Sequence, residues 1–154
     1  MSGEVQTRIE KLGIALPEPP KAGGNYVPAK TVGNVVYLAG VISTVDDAVT
    51  TGTAGLNRTI EEGYAAARAC ALTQLAVLKQ HLGSFDKIKQ IVSLNGYVNA
   101  APGFEDSPKV VNGASDLLIE LFGESGRHVR AAIGVSALPR NALVEIQMTV
   151  ELNP

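Results

Sequence analysis

Residues Arg127 to Leu152 read RHVRAAIGVSALPRNALVEIQMTVEL. Within this stretch Val144, Ile146, Met148, Val150 and Leu152 alternate with Glu145, Gln147, Thr149 and Glu151. That period of two is the mark of a strand with one buried face. Upstream, the run from about Val129 to Ala137 reads as a second strand, and Pro139-Arg140-Asn141 joins the two as a tight turn. In such a hairpin Arg130 lies opposite Thr149 and Gly134 opposite Glu145. Arg130 and Glu145 are then displaced by about four residues, roughly 13 Å along the strands. Alternation puts Arg130 on a face with Ala132, Gly134 and Ser136, small side chains that leave room for a ligand on the guanidinium. Its paired donors suit a carboxylate. By parity Glu145 and Gln147 can share that polar face, so Arg130 and Glu145 flank a ligand. Spacing alone equally allows a surface arginine paired with a neighbouring acid.

Working outward, the clearest helix runs from Ile60 to Leu82. Thr59 and Glu62 form a capping box, Gly83 supplies the stop, and Ile60, Tyr64, Ala67, Ala71, Leu75, Leu78 and Leu82 make an apolar stripe. A second helix follows Ser107-Pro108, with Ser107 expected as the N-cap and Gly123 as the stop. Between the helices, Ile88 to Ala100 reads as a strand with Val92, Leu94, Val98 and Ala100 on one side. Gly33-Asn34 is a plausible hairpin turn leading into Val35 to Ile42, which is apolar on both alternating sets. Asp46 to Leu56 reads as a loop, and Glu4 to Leu12 as a short amphipathic helix ended by Gly13 and the prolines at 17, 19 and 20. Residues 1–20 are thus expected as an N-terminal helix and linker, and 21–154 as a single domain. The order β-β-α-β-α-β-β defines an α+β fold, a mixed sheet with two helices packed on one face. Two helices cover one face only. The double-sided strand asks for cover on the other, so self-association is expected.

Composition narrows the partners. The 154 residues are 45% hydrophobic and 18% charged, with a net charge of −2 and no tryptophan. No run approaches the roughly 18 apolar residues of a membrane span. Met1 to Lys11 shows no apolar h-region, so no secretory leader is expected. The single cysteine, Cys70, fits a reducing compartment, most simply the cytoplasm, and reads as a buried core residue. Basic residues cluster only as pairs, Lys87 with Lys89 and Arg127 with Arg130, which argues against nucleic acid. His81 sits where a cation favours the helix C-terminus. Two histidines and one cysteine give little material for zinc. Neither a G-x-G-x-x-G loop nor a G-x-S-x-G elbow occurs.

The pattern Arg130-x-x-Ile133-x-x-Ser136-x-Leu138, followed after five residues by Val144-Glu145-Ile146, resembles the C-terminal signature of the RidA/YjgF/YER057c/UK114 family. Gly24-Asn25-Tyr26-Val27-Pro28 and Val32 to Gly40 are similar to that family's entry segment and first hairpin, and Asn112 matches a position commonly polar there. The N-terminal helix and the loop around Pro102 look like the longer branch labelled endoribonuclease L-PSP. The resemblance implies a chorismate-mutase-like fold (bacillus type) in a trimer whose sheets close into a barrel, with clefts between subunits. It further implies hydrolysis of reactive imines or enamines to 2-keto acids and ammonia. Arg130 would bind the substrate carboxylate, Glu145 would position water, and Tyr26 would line the cleft, with Ala39, Gly40, Asn112, His128 and Ala132 around the substrate. No cofactor or metal is expected.

Departures alter that pocket. His128 stands where proline or alanine is usual, Ala132 where cysteine is frequent, Gly134 at an acidic position and Ala39 at a hydroxyl position. The pocket is therefore expected to be roomier, with space for a substrate other than the archetype's. The alternative is a non-catalytic protein of the same fold that binds or senses small carboxylates. Ribonuclease activity is disfavoured by the missing basic patch, and chorismate mutase activity rests on fold analogy alone.

Overall fold

The computed structural model describes residues 3–154; Met1 and Ser2, the first positions of the expected N-terminal segment, lie outside the described residues. In chain order the elements are α1 (Glu4–Lys11), β1 (Ala29–Val32), β2 (Val35–Leu38), β3 (Val41–Ile42), β4 (Thr44–Val45) and β5 (Ala48–Val49). There follow α2 (Ile60–Leu82), β6 (Ile88–Asn99), α3 (Ser107–Phe122), β7 (Val129–Val135) and β8 (Val144–Leu152).

Local signals place most of these. The Thr59 side chain accepts from the Glu62 amide and Glu62 Oε1 from the Thr59 amide, each at 3.0 Å, satisfying two of the open donors at the start of α2. Gly83 ends the helix at φ 82°. Gly33, at φ 61°, turns β1 into β2 with Val32 opposite Val35. Asp46 and Asp47 both lie in the left-handed region and close β4 on β5 as a small hairpin that straddles the start of the expected loop.

The main sheet runs β1-β2-β8-β6-β7, with β3 also on β8. β6 is antiparallel to β8 and parallel to β7. Leu94, Gly96 and Val98 of β6 share the α2/α3 face with Met148, Ile146 and Val144 of β8 through direct register pairs. Leu75 and Leu78 of α2 and Leu117, Leu118 and Leu121 of α3 complete this core, almost wholly excluded from solvent. Each such side chain contributes about 1.5–3 kcal/mol on burial. Ile9 of α1 belongs to the same core. α2 and α3 approach so closely that a Cβ on Gly113 would meet the Tyr64 carbonyl, and one on Gly63 would lie 2.9 Å from Val110 Cγ2.

Four expectations change. β7 and β8 form no hairpin, because β6 lies between them and the chain from Ser136 to Leu143 passes over its end. Buried Asn99, the last residue of β6, fastens that crossing: its Nδ2 donates to Asn141 Oδ1 and to the Ala142 carbonyl, each at 3.2 Å. Arg140 and Asn141 within it take left-handed φ of 56° and 57°, conformations that cost about 1 kcal/mol or more each. Val35 to Ile42 is not one strand. Tyr37 pairs with Thr149 but Val41 with Ile146, a one-residue slip that makes Ala39-Gly40 a bulge and reverses which side later residues face. A similar irregularity between Ile91 and Ser93 leaves Val92 38% exposed, so the expected buried set of β6 begins at Leu94. The N-cap of α3 is Asp106 rather than Ser107, which becomes the first helical residue.

Opposite the helices, the sheet is part polar and part apolar. Asn95 Nδ2 donates to Gln147 Oε1 at 3.0 Å across this face, while Tyr37, Val129 and Ile133 remain largely exposed, each at 49% or more. No helix among the described residues is long and apolar enough to cross a membrane.

Candidate functional site

The bulge at Ala39-Gly40 builds a cavity of about 520 Å³. Glu145 lines it together with Tyr26, Ala39, Gly40, Lys21, Thr73 and Arg140. From the helix side, buried Gln74 donates from Nε2 to the Ala39 carbonyl at 2.8 Å and to the Ile146 carbonyl at 3.3 Å, pinning the bulge to β8. Gly40 leaves the carboxylate its place: a Cβ there would lie 2.5 Å from Glu145 Oε2, so any larger residue would make that side chain shift. The Glu145 carboxylate therefore lies against bare backbone. Burial raises its pKa above the ordinary carboxylate value, and among the described residues no cation pairs with it. Tyr26 closes the entry loop, its hydroxyl accepting from the Gly23 amide at 3.1 Å.

Arg130 is elsewhere. It pairs in register with Leu94, as does Met148, so it lies level with Met148 and on the helix face of the edge strand β7. Glu145 pairs with Tyr97 and faces the other way. Two strand spacings and three residues of offset separate the two Cα atoms by roughly 14 Å. The shared polar face expected from a hairpin is thus absent, since inserting β6 reverses the parity.

Around Arg130 the side chains form a chain of hydrogen bonds. Its Nη1 donates to Ser115 Oγ at 3.1 Å and its Nη2 to the Pro108 carbonyl at 3.2 Å. His128 Nδ1 lies 2.7 Å from the Gly126 carbonyl, which can only accept, so Nδ1 carries the proton. Nε2 of the same ring lies 2.9 Å from Ser115 Oγ. Asn112 is four residues from Pro108 and three from Ser115, on the same side of α3. Ala132 shares the helix face of β7 with Arg130, paired with Gly96.

The expected site residues therefore fall into two groups. Tyr26, Ala39, Gly40 and Glu145 meet at the cavity, whereas Arg130, His128, Asn112 and Ala132 lie at the β7 edge. Gln74, Thr73, Arg140 and Lys21 escaped the sequence reading. Gln74 alone had a signal, a polar residue within an apolar helical stripe. Cys70 is fully buried, and burial pushes its thiol far above the ordinary range, which leaves it inert. His81 meets Thr31 Oγ1 at 2.7 Å, away from both groups.

Comparison with known proteins places this architecture. Residues 6–152 match the family model described as "YjgF/chorismate_mutase-like, putative endoribonuclease". The chain belongs to the YjgF family. Among YjgF-family relatives, Protein TCP17 of Trypanosoma cruzi is 42% identical over 154 residues, covering 99% of this chain and 96% of its own. A 2-iminobutanoate/2-iminopropanoate deaminase of Dermatophagoides farinae is 31% identical over 141 residues, covering 89% and 93% respectively. A crystal structure from Shewanella oneidensis MR-1, named "a putative endoribonuclease", superposes with a TM-score of 0.93 at 38% identity, covering 96% of this chain and 99% of that one. The mixed sheet with helices on one face is thus the YjgF chorismate-mutase-like fold.

Proposed function

We propose that this YjgF-family protein hydrolyses reactive 2-imino or 2-enamino acids to 2-keto acids and ammonia, in the cytoplasm and as a homotrimer. The observation that carries the reading is the unpaired, half-buried Glu145 in a cavity with Tyr26, held open by Gly40. The deaminase relative supports the substrate class. Arg130 projects from an edge strand, and edge strands invite pairing with another chain. Arg130 of one copy and the Glu145 cavity of its neighbour then form one cleft, which explains why they lie on opposite faces of a single chain.

The chemistry asks little of the protein. Arg130 binds the carboxylate through paired donors. An enamine first gains a proton from solvent at C3, its C=C pair forming the new C–H bond as the nitrogen lone pair forms C=N. Water then adds to C2 of the protonated imine; its oxygen bonds to carbon, the C=N π pair moves to nitrogen, and Glu145 takes one proton. Glu145 then returns that proton to nitrogen and the C–N bond breaks. The hydroxyl proton leaves with ammonia as ammonium, and the 2-keto acid remains. A carboxyl group with a raised pKa suits this exchange near neutral pH. Positioning and charge neutralisation supply the rest.

The test is release of 2-keto acid from freshly generated 2-aminoacrylate. Acceleration over the spontaneous rate is expected, lost in Arg130→Ala and in Glu145→Gln. A spontaneous rate with wild-type protein would overturn the proposal. Binding of keto acids without turnover would point instead to a carboxylate sensor.

A further inference from the structure

The Glu145 cavity holds more positive charge than one carboxylate needs. Among its lining residues the charged groups are Lys21, Arg140 and Glu145, and burial disfavours ionisation of the last. Arg140 has no ion pair and no side-chain hydrogen bond among the described residues. Its backbone is nevertheless held in place. Left-handed φ at both Arg140 and Asn141 is fixed by three bonds: Asn99 to the Asn141 side chain, the Gly52 amide to the Asn141 carbonyl at 3.0 Å, and the Asn141 amide to the Leu138 carbonyl at 3.1 Å. A strained backbone that presents an unpaired arginine to a cavity is a feature expected of binding sites. If Arg130 of a neighbouring copy takes the C1 carboxylate, as proposed above, Arg140 and Lys21 outnumber Glu145, and at least one of the two cations remains without a counter-charge.

We infer that the substrate is a 2-imino acid with a second carboxylate on its side chain, and that Arg140, assisted by Lys21, holds that distal carboxylate. The inference rests on the deaminase reading of the same cavity. Hydrolysis proceeds as above: C2 gains the water oxygen, loses nitrogen as ammonium, and the distal carboxylate takes no part. Reactions that oxidise the amino group of an acidic amino acid make such substrates.

The full-length protein should be assayed on 2-iminosuccinate and on 2-iminopropanoate, each generated in situ by a flavin amino-acid oxidase and followed by semicarbazide trapping. A higher kcat/KM on the dicarboxylate is expected. The ratio of the two kcat/KM values should fall on the order of tenfold in Arg140→Ala, as for loss of a charge-assisted hydrogen bond, and by less in Lys21→Ala. Arg140→Gln serves should the alanine variant fold poorly. A wild-type preference for 2-iminopropanoate, or a ratio unmoved by Arg140→Ala, overturns the inference and leaves the deaminase reading intact. Calorimetry with oxaloacetate, pyruvate and inorganic phosphate separates the two further. Oxaloacetate binding that depends on Arg140, with neither imine accelerated, overturns the deaminase reading but retains the two-carboxylate cavity. Phosphate bound as tightly as oxaloacetate overturns the cavity's assignment.

Discussion

Glu145 and Gly40 depend on each other. A methyl group at residue 40 would press on the carboxylate, so Gly40→Ala should displace Glu145 and lower turnover on the order of tenfold or more while far-UV circular dichroism stays that of the wild type. Glu145 also sets a pH dependence of stability. Its folded pKa lies above its unfolded value, near 4.3, so between the two the folded state holds more protons and stability falls as pH rises. Glu145→Gln removes this loss. Its melting temperature relative to wild type should therefore climb as pH increases from about 4 towards 7, and the gap should close in acid; a gap independent of pH would contradict the burial argument. Sequence made Arg130 and Glu145 visible by residue type and alternation. It hid the sides they face, because alternation fixes parity only within one strand, and both the bulge at Ala39-Gly40 and the insertion of β6 alter it.

At the scale of elements, signals carried within a few residues were readable and those that depend on distant partners were not. The capping box of α2 is an example of the first kind. Thr59→Ala should cost about 1 kcal/mol, lowering the melting temperature of a chain this size by roughly 2–4 °C in calorimetry. Pro139-Arg140-Asn141 is an example of the second. Its composition suits a hairpin turn, yet its geometry is dictated by Asn99, some forty residues upstream, which recruits both Asn141 and Ala142. The α2/α3 crossing was likewise invisible. Gly113 reads as an ordinary helical glycine until the Tyr64 carbonyl is found against it. Gly113→Ala should therefore destabilise by more than 2 kcal/mol in denaturant unfolding, although alanine is the better helix former.

For the whole molecule, the fold class and helix placement followed from the sequence because two apolar helical stripes and one alternating strand define a layered core. The open face did not, since its polar ladder and its exposed Tyr37, Val129 and Ile133 are interleaved. If copies associate through the β7 side to complete the cleft, Ile133→Glu should shift sedimentation from trimer to monomer and remove turnover together. Retained activity in a monomer would refute the shared cleft. The position of β8 has a consequence for synthesis. It follows every other strand in the chain yet lies between β2 and β6. While the ribosome is still making it, β2 and β6 have unpaired edges facing a gap, and the cavity has no Glu145. The main sheet can therefore close only after β8 has been made, and the strand edges left open until then are of the kind that invites pairing between chains.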